Sequence, residues 1–256
     1  MNIDENRISD LDIYLTRMQR SILDKMFFID KVFEPFEYIV DFGCANGELI
    51  KALSAMCSEY RYIGYDISEE MIGAAKKNVP EAFFCTDWSE IKVPFDRSLI
   101  NISSTVHEVW SYGTEKDVRE FRERVFDSGF KYIAVRDMMF SDSEDRPADE
   151  AQLRAVRESG YSEWLESFEQ VWGRVTTQRQ LVHFLLKYKY TNNWEREVRE
   201  NYFPVSVEEF RAMIPDCCRI IFFEPFTLPY LSWQLRKDFG ITLAEHTHLK
   251  IILEHI

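Results

Sequence analysis

Basic charge is in short supply. The chain carries 31 Lys and Arg against 44 Asp and Glu, a net charge of −13. That balance disfavours a protein that grips nucleic acid through a broad basic face, although a local basic groove stays possible. Cysteine is sparse and odd in number. Cys44, Cys57, Cys85, Cys217 and Cys218 contain no Cys-x-x-Cys pair, so a disulfide framework is not expected and a reduced, cytoplasmic setting is. No apolar run reaches the ~18 residues of a membrane span. The acidic, polar opening does not read as a secretory signal. Internal repeats and low-complexity tracts are missing. So is the phosphate-cradling pattern Gly-x-x-x-x-Gly-Lys-Ser/Thr.

What is present suits a folded α/β domain. Hydrophobic residues make up 46% of the 256-residue chain and aromatics 15%, enough for a sizeable core. The organising stretch is Tyr38-Ile39-Val40-Asp41-Phe42-Gly43-Cys44-Ala45-Asn46-Gly47-Glu48. An apolar strand enters a turn with one acid and two glycines, and a helical pattern follows. Such a strand, loop and helix form a nucleotide-type cofactor site, where glycine lets backbone approach a ligand. The dinucleotide fingerprint Gly-x-Gly-x-x-Gly fails here. Counted from Gly43, its later positions hold Ala45 and Glu48. That speaks against a nicotinamide-dependent oxidoreductase.

Two further acids close strand-like runs. Arg61-Tyr62-Ile63-Gly64-Tyr65-Asp66 ends in a carboxylate, with Ile67 next and Ser68 placed to cap a helix. A carboxylate there can accept both hydroxyls of a ribose. Ala82-Phe83-Phe84-Cys85 leads to Thr86-Asp87-Trp88. The set resembles the class I S-adenosylmethionine (SAM)-dependent methyltransferases, whose first motif is Asp/Glu-x-Gly-x-Gly-x-Gly. Asp41, Gly43 and Gly47 match it, and Ala45 replaces the middle glycine. The resemblance implies that Asp41, Gly43, Cys44, Ala45, Asn46 and Gly47 shape the methionine pocket. It implies that Asp66 and Ile67 meet the ribose, and that Asp87 and Trp88 meet the adenine. It also implies a Rossmann-like three-layer sandwich. That fold has seven strands, mostly parallel, with the last antiparallel.

The pattern along the chain divides it into four parts. Residues 1–35 carry helically spaced Leu11, Leu15, Met18, Ile22 and Met26, a segment that covers the site or packs on the sheet. Residues 36–140 alternate strands and helices as a SAM-binding core. Residues 141–215 are helical and aromatic-rich, an insertion between strands five and six expected to cap the acceptor. Residues 216–256 supply two strands, around Arg219–Phe223 and Leu249–Leu253.

Candidate chemistry beyond the cofactor loop is thinner. His107 follows the fourth strand, where small-molecule methyltransferases often place a histidine. It is expected either to act as general base and orient the acceptor, or to hydrogen-bond locally. Asn101 lacks the prolines and aromatic of base-amine methyltransferases. His107-Glu108-Val109-Trp110-Ser111 is not His-Glu-x-x-His, and no metal is expected. Arg136 and Asp137 close the fifth strand and either meet substrate or pair internally. Trp172, Arg179 and Tyr188 in the insertion are candidate acceptor contacts. Lys187-Tyr188-Lys189-Tyr190 reads as a phosphate or base contact, or as a solvated helix end. The acidic surface and aromatic insertion favour a small-molecule acceptor. The alternatives are RNA or protein methylation, or a SAM-binding regulatory protein without catalysis.

Overall fold

The computed structural model describes residues 21–256. The expected helix positions Leu11, Leu15 and Met18 lie outside them. Seven strands form one sheet: β1 Tyr38–Phe42, β2 Arg61–Tyr65, β3 Phe83–Cys85, β4 Ser98–Ser103, β5 Tyr132–Met138, β6 Cys218–Phe226 and β7 His248–His255. Their spatial order is β3-β2-β1-β4-β5-β7-β6. The first five strands pair in parallel, and β7 runs antiparallel to both β5 and β6. The strand order reverses between β1 and β4, and a crevice opens beyond the carboxyl ends of those strands.

The strands read as unbroken apolar runs because both faces of the sheet are covered. Successive side chains alternate between the faces. Val40, Phe42, Ile100, Ile102 and Val135 join one core cluster with Phe121, Phe126 and Phe210. Ile39, Leu99, Tyr132 and Ala134 join another with Leu49, Ile50 and Leu53.

Helices α1 Ile22–Lys25, α2 Glu48–Met56, α3 Glu69–Asn78, α4 Val106–Tyr112 and α5 Glu115–Arg122 accompany the first five strands. Of the helical spacing expected within residues 1–35, the described part is helical only over α1: from Met26 to Lys31 the backbone turns. The pattern over Lys116–Phe126 is helical, but its last turn widens to a π-helix at Glu123–Asp127.

The segment after β5 holds α6 Glu150–Arg157, α7 Ser162–Trp172, α8 Gln178–Lys187, α9 Trp194–Glu197 and α10 Val207–Ala212. It builds its own core from Val156, Leu165, Phe168, Leu181, Phe184 and Leu185. Helix α9 ends at Glu197. There the carbonyls of Glu197 and Glu200 accept from the buried Lys187 ammonium, which takes the place of continued helical bonding. Helix α11 Pro229–Phe239 lies between β6 and β7, where the sequence reading placed only strands. Pro229 starts it and Gly240, at φ 69°, ends it. Its Leu231 and Leu235 complete the insertion's core.

Gly64, at the centre of β2, shows how tightly the cofactor half is packed. A Cβ there would stand 2.3 Å from Phe84 Cδ1 and 2.8 Å from Cys44 Sγ. Overpacking of this kind costs about 1–3 kcal/mol. Gly64→Ala is expected to lose stability in that range, read from the urea midpoint at unchanged m-value; an unshifted midpoint would show that β2 and β3 have room to part.

Candidate active site

The loop after β1 owes its shape to three left-handed residues. Gly43 has φ 81° and Gly47 has φ 77°; Ala45, in place of the family's middle glycine, has φ 46°. A non-glycine residue there costs about 1–2 kcal/mol. The loop is pinned in return. Tyr65 O accepts from Gly43 N at 2.8 Å and Cys44 N at 3.0 Å. Asp66 Oδ2 accepts from Ala45 N at 2.9 Å, and its Oδ1 accepts from Ser68 N at 2.9 Å. Gly43 also lets Thr105 approach, since a Cβ would meet Thr105 Oγ1 at 2.4 Å. The loop is thus wedged between the ends of β2 and β4.

A small cavity lies beside this loop, lined by Ile22, Lys25, Asp41, Gly43, Cys44, Glu48, Leu49 and Ser103. Asp41 is 3% exposed and accepts from Asn101 Nδ2 at 2.7 Å. Burial raises its pKa from 3.8 to about 6, against the lowering effects of Asn101 and Lys25. The Lys25 ammonium comes from α1. Burial and then the Arg136 charge bring its pKa down to about 8, while Asp41, Asp137 and Glu108 oppose the change. Asn46 Oδ1 is buried with no hydrogen-bond partner. The Cys44 thiol is buried and held well above its usual pKa by desolvation, so it stays protonated.

The other expected cofactor residues are arranged unevenly. Ile67 is 40% exposed beside Asp66. Asp87 is exposed and accepts from Ser89 N at 2.8 Å. Trp88 is half-buried and packs on Phe42, Tyr65 and Phe130 at ring distances of 5.7, 5.4 and 6.3 Å. Much of its ring therefore serves the core and only part of it faces outward.

Beyond β4 and β5 lies a second assembly that the sequence reading caught only in part. The Asp137 carboxylate is fully buried. It accepts from Thr105 N at 2.8 Å, Val106 N at 2.6 Å and Met138 N at 2.7 Å. His107 Nδ1 joins these three N–H groups as a fourth donor, at 2.6 Å. His107 Nε2 stands 3.4 Å from Glu200 Oε1. Burial alone would lower the His107 pKa, but Asp137 and Glu200 together outweigh it and raise it to about 10. Both ring nitrogens of His107 face buried carboxylates. Arg196 completes the group, bridging Glu108 at 3.3 Å, Glu197 at 3.1 Å and Glu200 at 3.0 Å. Burial and the Glu200 charge raise the Glu108 pKa to about 7. The signal was in the sequence as the acid–base run from Glu195 to Glu200 and the acid beside His107. Nothing in either stretch names the other as its partner.

The remaining candidates are held by internal bonds. Arg136 is 3% exposed, its Nε donating to Asp24 Oδ2 at 2.8 Å and a terminal nitrogen to Ser104 Oγ at 2.9 Å. Trp172 Nε1 donates to Val198 O, and Arg179 bonds Asp142 and Phe203 O. Tyr188 is 1% exposed and donates to Asp238. None of the three insertion residues lines the cavity beside Gly43. Lys187 and Tyr188 are buried, Lys187 against the Tyr202 ring, while Lys189 is partly exposed and pairs with Asp238.

Asp41 gives a pH test. The folded chain holds a proton on Asp41 up to pH about 6, where the unfolded chain has lost it near 3.8. Its contribution to stability is therefore full below pH ~4 and is lost as pH rises through ~6, by about 3 kcal/mol in all. Asp41→Asn keeps the oxygen that Asn101 bonds. It should match the parent near pH 4 and exceed it by up to that amount above pH 6.5 in chemical denaturation. A stability difference independent of pH would show that Asp41 ionises freely.

Comparison with known proteins adds the family. Residues 39–129 match the family described as "Methyltransferase domain". No curated protein matches the chain. Among solved structures, the plantazolicin methyltransferase BpumL in complex with SAH is similar at a TM-score of 0.52 and 15% identity, covering 94% of this chain and 84% of that one. A SAM-dependent methyltransferase from Anabaena variabilis is similar at 0.52 and 13%, covering 93% and 85%. The pyocyanin biosynthetic protein PhzM is similar at 0.57 and 13%, covering 98% and 60%. At such identities the structures speak to fold alone, and the domain match speaks to residues 39–129, which carry the loop. Residues 39–129 thus carry the match to a methyltransferase domain, on a seven-stranded sheet whose fold is similar to that of the SAH-bound methyltransferases.

Proposed function

We propose that this enzyme methylates a small-molecule acceptor, with SAM seated on the 43–47 loop and the acceptor held between that loop and the helical segment 141–215. The observation that carries the reading is the pinned loop with its flanking carboxylates. Its residues fit the cofactor. Gly43 and Gly47 keep the two ends of the loop free of Cβ atoms, and Asn46 Oδ1 is a buried acceptor without a partner. Asp66 spends one bond per oxygen on backbone and keeps a lone pair on each for a ribose diol. Asp87, with Trp88 beside it, is exposed for an adenine amino group.

SAM supplies a methyl group already activated on a sulfonium. The chain's task is to align the acceptor, exclude water and manage one proton. The His107–Asp137–Glu200 group, with Glu108 tied to it through Arg196, holds the acceptor side rigid. The neighbours favour a natural product as acceptor. One is a plantazolicin methyltransferase crystallised with a monoazolic desmethylPZN analogue and SAH, at a TM-score of 0.51, and another serves pyocyanin biosynthesis. No helix among the described residues is long and apolar enough to cross a membrane, and the five cysteines are free; a cytoplasmic enzyme accords with both.

SAH at a hundredfold its dissociation constant should stabilise the fold by about 2.7 kcal/mol, while NAD and ATP should not. Stabilisation by NAD and none by SAH would end the reading. Asp66→Ala should weaken SAH binding by about 1.5–3 kcal/mol. It should also lower Tm, because it frees Ala45 N and Ser68 N; unchanged SAH affinity in a folded variant refutes the ribose role. For the acceptor, tritiated SAM is incubated with the small-molecule, RNA and protein fractions of a cell extract. Label in the small-molecule fraction is expected, and label confined to RNA or protein moves the acceptor class.

A further inference from the structure

We propose that His107, Glu108 and Glu200 form a binding site for a divalent transition-metal ion of the Zn2+ or Mn2+ kind. Each offers one ligand atom, and the three atoms lie within 4.8 Å of one another. The surroundings are those of a built site. Asp137 holds His107 by Nδ1 at 2.6 Å, which directs Nε2 toward the two glutamates. A carboxylate on the far ring nitrogen is the usual outer partner of a metal-bound histidine. Arg196 takes one oxygen of each glutamate, Glu108 Oε1 and Glu200 Oε2, and leaves the other to the cluster.

The independent sign is an unspent acceptor. Glu200 is 2% exposed, yet its Oε1 has no hydrogen-bond partner. His107 Nε2 at 3.4 Å lacks hydrogen-bond geometry toward it. The Tyr112 hydroxyl, also buried without a partner, feels the charges of Glu200, Arg196 and Glu108. Leaving a buried carboxylate oxygen unsatisfied costs free energy, and a cation bound between the glutamates removes that cost. In the metal-free chain a proton on His107 answers the same carboxylates; a metal ion takes its place on Nε2. One imidazole and two carboxylates select Zn2+ or Mn2+ over Ca2+, which prefers an all-oxygen shell. The position has a functional consequence. Glu108 keeps 20% of its side chain exposed, and the Asp66 and Lys25 charges reach it. An ion there stands on the acceptor side of the cofactor loop. The site itself does not depend on the methyl-transfer reading.

The test uses the full chain stripped with EDTA and titrated calorimetrically with ZnCl2 or MnCl2 alone. One ion per chain is expected, with affinity lowered at least tenfold in Glu108→Gln and Glu200→Gln, and tenfold to a hundredfold in Asp137→Asn. His246→Ala removes the exposed His246–Glu144 pair, the competing surface site, and should leave the affinity unchanged. Metal-free circular dichroism checks the fold of each variant. Should Glu200→Gln fail to fold, the partly exposed Glu108→Gln decides. No binding at millimolar metal, or binding lost with His246→Ala and untouched by Glu108→Gln, overturns the proposal.

Discussion

The Asp137 carboxylate is the point on which the rest hangs. It is fully buried at the end of β5 and answers three backbone amides and one imidazole. Two of those amides open α4, so the negative charge sits against the positive end of that helix. Through Thr105 it fixes the residue that Gly43 packs on, and so the cofactor loop. Through His107 it reaches Glu200, and so the helical segment. A buried charge without partners would be ruinous; with four donors in place it joins three parts of the chain that are far apart in sequence.

The charges beyond it extend the same arrangement. Lys187, buried on α8, donates to the Glu197 and Glu200 carbonyls, and Tyr202 donates to the Glu197 carboxylate. Burial brings the Lys187 pKa down to about 7, with Glu200 and Glu197 opposing the shift. Ionic groups of this kind contribute little net stability. Their value here is registry: they allow one seating of the helical segment against the ends of β4 and β5.

The parallel half was legible because its signals are local. A strand such as Leu99–Ile102, buried on both faces, shows itself as an apolar run, and the caps at Ser68 and Ser206 sit where short-range rules place them. The loop's glycines and the acid at Asp66 were equally plain. Helix α11 was missed although Pro229 and Gly240 mark its ends, because the flanking strand runs drew the eye. The cluster beyond β4 and β5 was illegible for another reason. His107 meets Asp137 across 30 residues and Glu200 across 93, and no pattern in one stretch announces a partner so distant. Tyr188 and Lys187 misled for the same cause, since an alternating basic and aromatic run looks exposed until Asp238, Tyr202 and two distant carbonyls are brought to it.

Hydrogen exchange on Asp137→Asn measures this coupling directly. If Asp137 joins the cofactor loop to the helical segment, the amides of residues 43–47, 105–107 and 197–202 lose protection together, while α6 and α7 keep theirs. Loss confined to residues 105–107, with the loop and the Glu197–Tyr202 turn as protected as in the parent, would show that the parts are held independently and would contradict the account.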